Sequence, residues 1–281
     1  MSTRAELVKE LTGRSVKIRR NILRMIKAGK AGHAGGALSA ADIMTALYFH
    51  VMNVKPEDPA WEERDRFVLS AGHKCLALYS VLAERGFMEP EIMDTYGAIK
   101  SRLPGHPDMK KIPGVESNTG ALGHGLSIAG GMAMGLRMDR KKARVFVVMG
   151  DGELAEGSNW EAAAAASHHK LDNILVFVDC NRLQISGETK TVMSYEPLVD
   201  RWRSFGWGVK EINGHDYDQI LDSTEGFPFE VDKPSVVIAH TVKSKGYSFA
   251  EDKYQYHYWK ANEEEVRQAE RDLDEAERGV K

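Results

Sequence analysis

The stretch Arg144-Val-Phe-Val-Val-Met-Gly-Asp-Gly-Glu-Leu-Ala-Glu-Gly157 decides the fold. After its first residue, Arg144 to Met149 is continuously apolar, the mark of a strand buried on both faces. Glycines then flank Asp151, and Ser158 to His169, with five consecutive alanines at 162–166, reads as a helix. A glycine turn between a buried strand and a helix presents backbone N–H groups to an anion. Asp151 would repel a bare diphosphate, and a divalent cation held by that Asp removes the conflict. Thirty residues on, Asn173 to Asp179 reads as a second buried strand, followed by Cys180 and Asn181. Adjacent parallel strands end side by side, so Asp151 and Asn181 can meet at one rim of a sheet. Two side-chain oxygens, a backbone carbonyl, a water and two phosphate oxygens would complete an octahedron around Mg2+. Two other readings of these residues stay open. Gly150-Asp-Gly-Glu-Leu-Ala155 also fits the G-x-G-x-x-A pattern of a Rossmann, NAD-binding protein, with Asp179 on a ribose. The Asp between the glycines and the mid-chain position count against it. Gly150 to Gly157 can also be no more than a tight turn.

Working outward, residues 3–28 carry apolar positions at helical spacing. A Gly/Ala-rich stretch, 29–37, interrupts the pattern, and Ser39 to Val51 is expected to be a second helix with Ser39 as its N-cap. Arg66 to Ser70 reads as a strand and Lys74 to Glu84 as a helix. Residues 100–125, rich in Gly, Pro and His, read as loop, and Leu126 to Arg137 as a helix whose small residues permit close packing. Trp207 to Ile212 and Ser235 to Ala239 read as further strands, and 216–222 and 262–278 as helices. Buried strands alternating with helices predict an α/β fold, a mainly parallel sheet with helices on both faces. No linker is visible, so one domain is expected over 1–281. Residues 241–261 form a long, aromatic-rich connection, of the kind that is usually functional or poorly ordered. Its cluster at 254–259 suits either a lid over a ligand or an interface patch.

Composition narrows the function. Lys plus Arg is 38 against 41 for Asp plus Glu, a formal charge of −3. That balance argues against a nucleic-acid-coating role and against a polybasic membrane surface. Apolar residues at 42% are too many for a disordered chain. The two cysteines, Cys75 and Cys180, make neither a disulfide framework nor a C-x-x-C pair, so a reducing, cytoplasmic location is expected. The N-terminus lacks an apolar signal core, and no apolar run approaches the ~20 residues of a membrane helix. Ten histidines invite zinc, yet no H-E-x-x-H or Cys/His spacing supports it. His33, His73 and His106 each follow a Gly in a loop, which suits a ligand-facing position. His50, His168, His169, His215 and His240 read as ordinary surface, cap or core residues. The charged helix at 262–278 reads as a solvated face.

Gly-Asp-Gly followed after about thirty residues by Asn resembles the thiamine diphosphate signature, and the surrounding sequence resembles transketolase. Gly32-His-Ala-Gly-Gly36, Asp65-Arg-Phe-Val-Leu-Ser-Ala-Gly-His73 and Leu103-Pro-Gly-His-Pro107 resemble that family's three histidine loops. Thr119-Gly-Ala-Leu-Gly-His-Gly125 resembles its glycine loop, and Gly150 to Gly157 its metal turn. The resemblance runs from about residue 15 to about residue 261. Three positions depart from it: His124 where Gln is commoner, Cys180 where an acid or amide is commoner, and Tyr258 where Gly usually follows the histidine.

The resemblance implies the thiamine diphosphate-binding fold, with this chain as the diphosphate-binding domain. It implies that the side chains of Asp151 and Asn181 and the carbonyl of Leu183 bind Mg2+, with Ca2+ or Mn2+ as substitutes. His73, Gly120, Leu122, Gly150, Gly152, Glu153, Asn181 and His257 would contact the cofactor. His33, His106 and His257 would face the substrate and the reactive thiazolium carbon, where neutral imidazoles can donate or accept protons. Glu156, and with it Glu161, would lie in a network at a subunit interface. The pyrimidine-binding and C-terminal domains are absent, so they are expected on a separate C-terminal subunit in an α2β2 assembly. The implied reaction moves a two-carbon ketol unit from a ketose phosphate to an aldose phosphate. A 2-oxo acid dehydrogenase α-chain or a deoxyxylulose phosphate synthase fragment is the related alternative, and the three histidine loops favour transketolase over the dehydrogenase.

Overall fold

The computed structural model describes residues 3–280. Helix α1 (Arg4–Gly29) opens on a capping box in which the Thr3 hydroxyl accepts from Glu6 N and the Glu6 carboxylate accepts from Thr3 N. Lys30, in the left-handed region at φ +61°, turns the chain into the short strand β1 (Ala31–Gly32). Helix α2 (Ala34–Ala46) then begins five residues before the expected start, with His33 rather than Ser39 at its N-cap. Every residue of α2 is buried, so close packing overrides the poor helix propensity of Gly35 and Gly36. Ser39 lies inside the helix, its hydroxyl donating to Asp179 Oδ2 at 2.6 Å and lying 3.0 Å from Gly36 O.

The chain continues through β2 (Arg66–Leu69), α3 (Cys75–Arg85), α4 (Gly125–Met138), β3 (Val145–Gly150), α5 (Gly157–His168) and β4 (Ile174–Cys180). It closes with α6 (Thr189–Val192), α7 (Leu198–Ser204), β5 (Gly208–Asn213), α8 (Tyr217–Thr224), β6 (Ser235–His240), β7 (Trp259–Lys260) and α9 (Glu263–Val280). Five strands pair in the order β2-β3-β4-β6-β5, all parallel. Successive side chains alternate between two cores. Phe146, Val148, Leu175 and Phe177 pack with α1, α2 and α3, while Val145, Val147, Val176 and Val178 pack with α4, α5 and α7. Burial on both faces is why β3 and β4 read as unbroken apolar runs.

The 241–261 connection, of a kind expected to be functional or poorly ordered, has short regular pieces. It folds through turns and a 3-10 turn at Tyr254–His257 into β7, which pairs antiparallel with β1, Gly32 opposite Trp259. The aromatic cluster splits. Tyr256 and Trp259 turn inward and donate to the two oxygens of the Glu265 carboxylate, each at 2.7 Å, while Tyr254 and Tyr258 face outward. Helix α9 is likewise solvated on one side only. Ala269 and Leu273 are buried, and ion pairs from Arg20 to Asp274 and from Lys27 to Glu270 clasp the helix to α1. Among the described residues no helix is long and apolar enough to cross a membrane.

Candidate active site

The register of β3 on β4, Gly150 opposite Asp179, delivers Asp151 and Asn181 to the same rim. Asp151 is buried; its Oδ1 accepts from Gly152 N at 2.8 Å and its Oδ2 from Arg182 N at 2.6 Å. Burial, followed by the charge of nearby Asp179, pushes the Asp151 carboxyl up to about 6. The Asn181 carboxamide donates to Asp179 Oδ2 at 3.2 Å and accepts from Leu183 N at 3.2 Å. Asp151, Asn181 and Leu183 line one cleft of about 440 Å3 together with Cys180, Arg182 and Tyr195. A buried acid disfavoured by its surroundings, an amide oxygen and a backbone carbonyl form an all-oxygen donor set that suits a hard divalent cation. Lys243 Nζ already donates to the Leu183 carbonyl at 3.1 Å, so a positive charge is accommodated there.

Beneath the turn lies a floor of paired charges. Lys74 Nζ contacts Asp179 Oδ2 at 2.5 Å with both side chains buried. Asp179 also accepts from the hydroxyls of Ser39 at 2.6 Å and Thr241. These donors hold its carboxyl below its usual range against the burial that would raise it. The buried Glu153 carboxylate accepts from the Ser70 hydroxyl, from Gly123 N at 3.1 Å and from Gly150 N at 3.2 Å. It braces the glycine loop against the turn at Gly150. The amides of Gly150 and Gly152 are not free in this structure. Neighbouring carboxylates, of Glu153 and Asp151, take those N–H groups. The glycine loop also needs its glycines for space, since a Cβ at Gly125 would lie 2.5 Å from Ser70 Cα.

The histidines form a rim. His33 caps α2, His73 lies in the turn Gly72–Lys74, His106 in the loop before α4, and His257 in the turn before β7. The β1–β7 pairing carries His257 to His33. The ring centroid of His33 is 5.4 Å from His73, 5.8 Å from His106 and 5.5 Å from His257, and His73 and His257 are 5.0 Å apart. Burial, with neighbouring positive groups in support, depresses His33 to about 4, His257 to about 3 and His73 to about 2. All three are therefore neutral imidazoles near pH 7. Gly120, at φ +146°, lies against this rim, where a Cβ would meet the His106 ring at 2.8 Å. Leu122 is half-buried and its carbonyl accepts from His124 Nδ1 at 3.1 Å. Glu156 and Glu161 are exposed.

Residues 14–276 match the family "Transketolase, thiamine diphosphate binding domain". The chain belongs to the transketolase family. The Rossmann reading of Gly150–Ala155 is thereby set aside. The chain is 45% identical to an apulose-4-phosphate transketolase subunit from Phocaeicola vulgatus over 268 residues, 95% of each protein. It is 42% identical to "6-deoxy-6-sulfo-D-fructose transketolase subunit SqwG" of a Clostridium species, over 88% of this chain and 90% of that one. Among solved structures, transketolase from Campylobacter jejuni superposes with a TM-score of 0.87 at 31% identity. That match covers 94% of this chain and 42% of the solved one, so the chain spans about two-fifths of that transketolase.

This transketolase-family chain holds site residues that sequence reasoning passed over. Lys74 had a signal, a lysine opening the otherwise apolar helix Cys75 to Ala83. Lys243 had none. His215, read as an ordinary histidine, is part of a buried network. Its Nδ1 lies 2.7 Å from Asp42 Oδ2, Arg19 grips both oxygens of that carboxylate, and His215 Nε2 accepts from Val242 N at 2.8 Å. The network fixes the backbone immediately before Lys243.

Proposed function

We propose that this chain is the diphosphate-binding subunit of a two-polypeptide transketolase, acting in the cytoplasm with thiamine diphosphate and Mg2+. The observation that carries the reading is the convergence of four imidazoles, from four separate segments, beside the Asp151–Asn181 rim. The pyrimidine-binding and C-terminal domains would reside on a companion chain, and the pair would assemble as α2β2 with exposed Glu156 at the contact. The names of the relatives support this division, since they denote subunits of this chain's length.

Asp151, Asn181 and the Leu183 carbonyl would hold Mg2+, and His73, Gly120 and Leu122 would line the cofactor. Bound thiamine diphosphate would supply a carbon nucleophile and an electron sink for the two-carbon unit. The chain's own contribution is proton handling. His33, His106 and His257 would bind sugar hydroxyls, take a proton and return it. His33 and His257, half-buried and neutral at pH 7, can do both without carrying a charge into the cleft. The substrates would be a ketose phosphate donor and an aldose phosphate acceptor. The relatives' names extend the class to branched and sulfonated ketoses.

The test begins with capture of the tagged chain from its own cell extract, with cofactor and Mg2+ present, to identify the companion by mass spectrometry. With the pair in hand, His33→Ala, His106→Ala and His257→Ala are each expected to lower ketol transfer by about 100- to 10,000-fold. Cofactor affinity, read by calorimetry, should change by no more than a few-fold. Full turnover in all three variants would overturn the assignment.

A further inference from the structure

We propose that Tyr258 is a specificity-determining residue of the sugar site, guarding approach to the His33 imidazole and hydrogen-bonding a sugar hydroxyl beyond the reacting carbons. This rests on the ketol-transfer reading above. Four rings surround His33; three are imidazoles, and the fourth and nearest is Tyr258, at 4.8 Å and edge-on at 76°. Although it touches this half-buried histidine, the Tyr258 side chain is 47% exposed. Its hydroxyl makes no hydrogen bond among the described residues. A solute that reaches His33 from solvent on this side passes the Tyr258 ring.

The position is fixed by backbone pairing. Gly32 is opposite Trp259 in the antiparallel ladder, which sets His33 opposite Tyr258 as a cross-strand pair. The residues beside Tyr258 are anchored, with Tyr256 and Trp259 both bound to Glu265. An aromatic ring on so rigid a mount loses little entropy when it meets a ligand. Its chemistry matches a sugar phosphate. The ring offers an apolar surface to the C–H groups of the carbon chain, and the hydroxyl offers one donor and one acceptor. A site built to pair a substrate hydroxyl discriminates against the analogue that lacks it.

The test uses the chain assembled with its companion, loaded with thiamine diphosphate and Mg2+. Tyr258→Phe keeps the ring contact with His33 and removes only the hydroxyl. It should cost about three- to tenfold in kcat/KM, more in KM than in kcat, and the loss should vanish with the matching deoxy sugar. Tyr258→Gly removes the ring, and the preference for longer over shorter sugar phosphates should rise by about tenfold. If Tyr258→Gly fails to assemble, Tyr258→Phe alone decides. Calorimetry with aldose phosphates and no donor gives the same comparison without turnover. Unchanged sugar profiles in an active variant would overturn the proposal and leave ketol transfer intact. Tyr258-dependent binding of aldose phosphates by a wild-type assembly that transfers nothing would uphold the proposal and overturn ketol transfer. A wild-type assembly that binds no sugar phosphate would overturn both.

Discussion

The floor under the Asp151 turn and the histidine rim above it are built by opposite means. In the floor, Asp179 has four donors (Lys74, Ser39, Thr241 and Asn181) and Glu153 has three, so every oxygen of the two carboxylates is engaged. In the rim, none of the four imidazoles makes a hydrogen bond among the described residues, and His257 Nδ1 is buried without a partner. The rings are held by tilted and edge-on packing against one another and by the backbone that carries them. The carboxylates of the floor are tied by hydrogen bonds, and the imidazoles of the rim keep their nitrogens free of them.

The comparison can be broken most forcefully at its base. Lys74→Met leaves Asp179 as an uncompensated buried charge and should cost about 3–5 kcal/mol of stability in denaturant titration. The double variant Lys74→Met/Asp179→Asn should recover much of that loss. If the single and double variants are equally destabilised, charge pairing is not what holds the floor. Next in size, Asp151→Asn should weaken Mg2+-dependent binding of thiamine diphosphate by about 100-fold or more without unfolding the chain. Unchanged affinity would remove Asp151 from the metal site.

The rim responds to pH. His257 and His73 are held near 3 and 2, and the more exposed His33 near 4, against an ordinary 6.5. As pH falls from about 6.5 to about 4 the unfolded chain takes up these protons before the folded one, so stability declines. The slope is at most about 1.4 kcal/mol per pH unit for each imidazole, and less for His33 because solvent screens it. Asp151, raised from 3.8 to about 6, takes its proton in the folded state first and offsets one imidazole within that window. Mg2+ should abolish the offset and steepen the decline, as melting curves at pH 4.5 and 6.5 with and without the ion would show. A profile flat over that range would mean that the rim histidines are not buried as neutral groups. The smallest effect is expected from behind the rim. Glu265→Gln keeps the shape but weakens the bonds from Tyr256 and Trp259, at a cost of about 1–2 kcal/mol in the same denaturant titration.

What the residues disclosed was whatever is local. The strand–turn–helix around Asp151, the second buried strand before Asn181 and the glycine-preceded histidines all follow from neighbours in the chain. The partners of the Glu153 carboxylate were not legible, because Ser70 and the Gly123 amide reach it from distant segments. The Lys74–Asp179 pair joins the turn before α3 to β4, and the role of His215 depends on Asp42 in α2; spacing carries no trace of either. The start of α2 was misplaced because Gly35 and Gly36 have low helix propensity, and only their close packing compensates. The aromatic segment 254–259 offered a choice between lid and interface. Tyr256 turns inward from a 3-10 turn and Trp259 from a two-residue strand, with Tyr258 outward between them, and pieces so short show no pattern in the sequence.

That strand sets an order of events at the ribosome. Asp151, Asn181 and Leu183 are all present once Leu183 has been made, whereas the rim stays open until β7 pairs with β1 and brings His257 across. At ordinary synthesis rates the interval is on the order of ten seconds. During it the nascent chain has its Asp151 turn but only three of its four imidazoles. The four-histidine rim is therefore completed by the closing of its last ladder, late in synthesis, long after its first histidine has emerged.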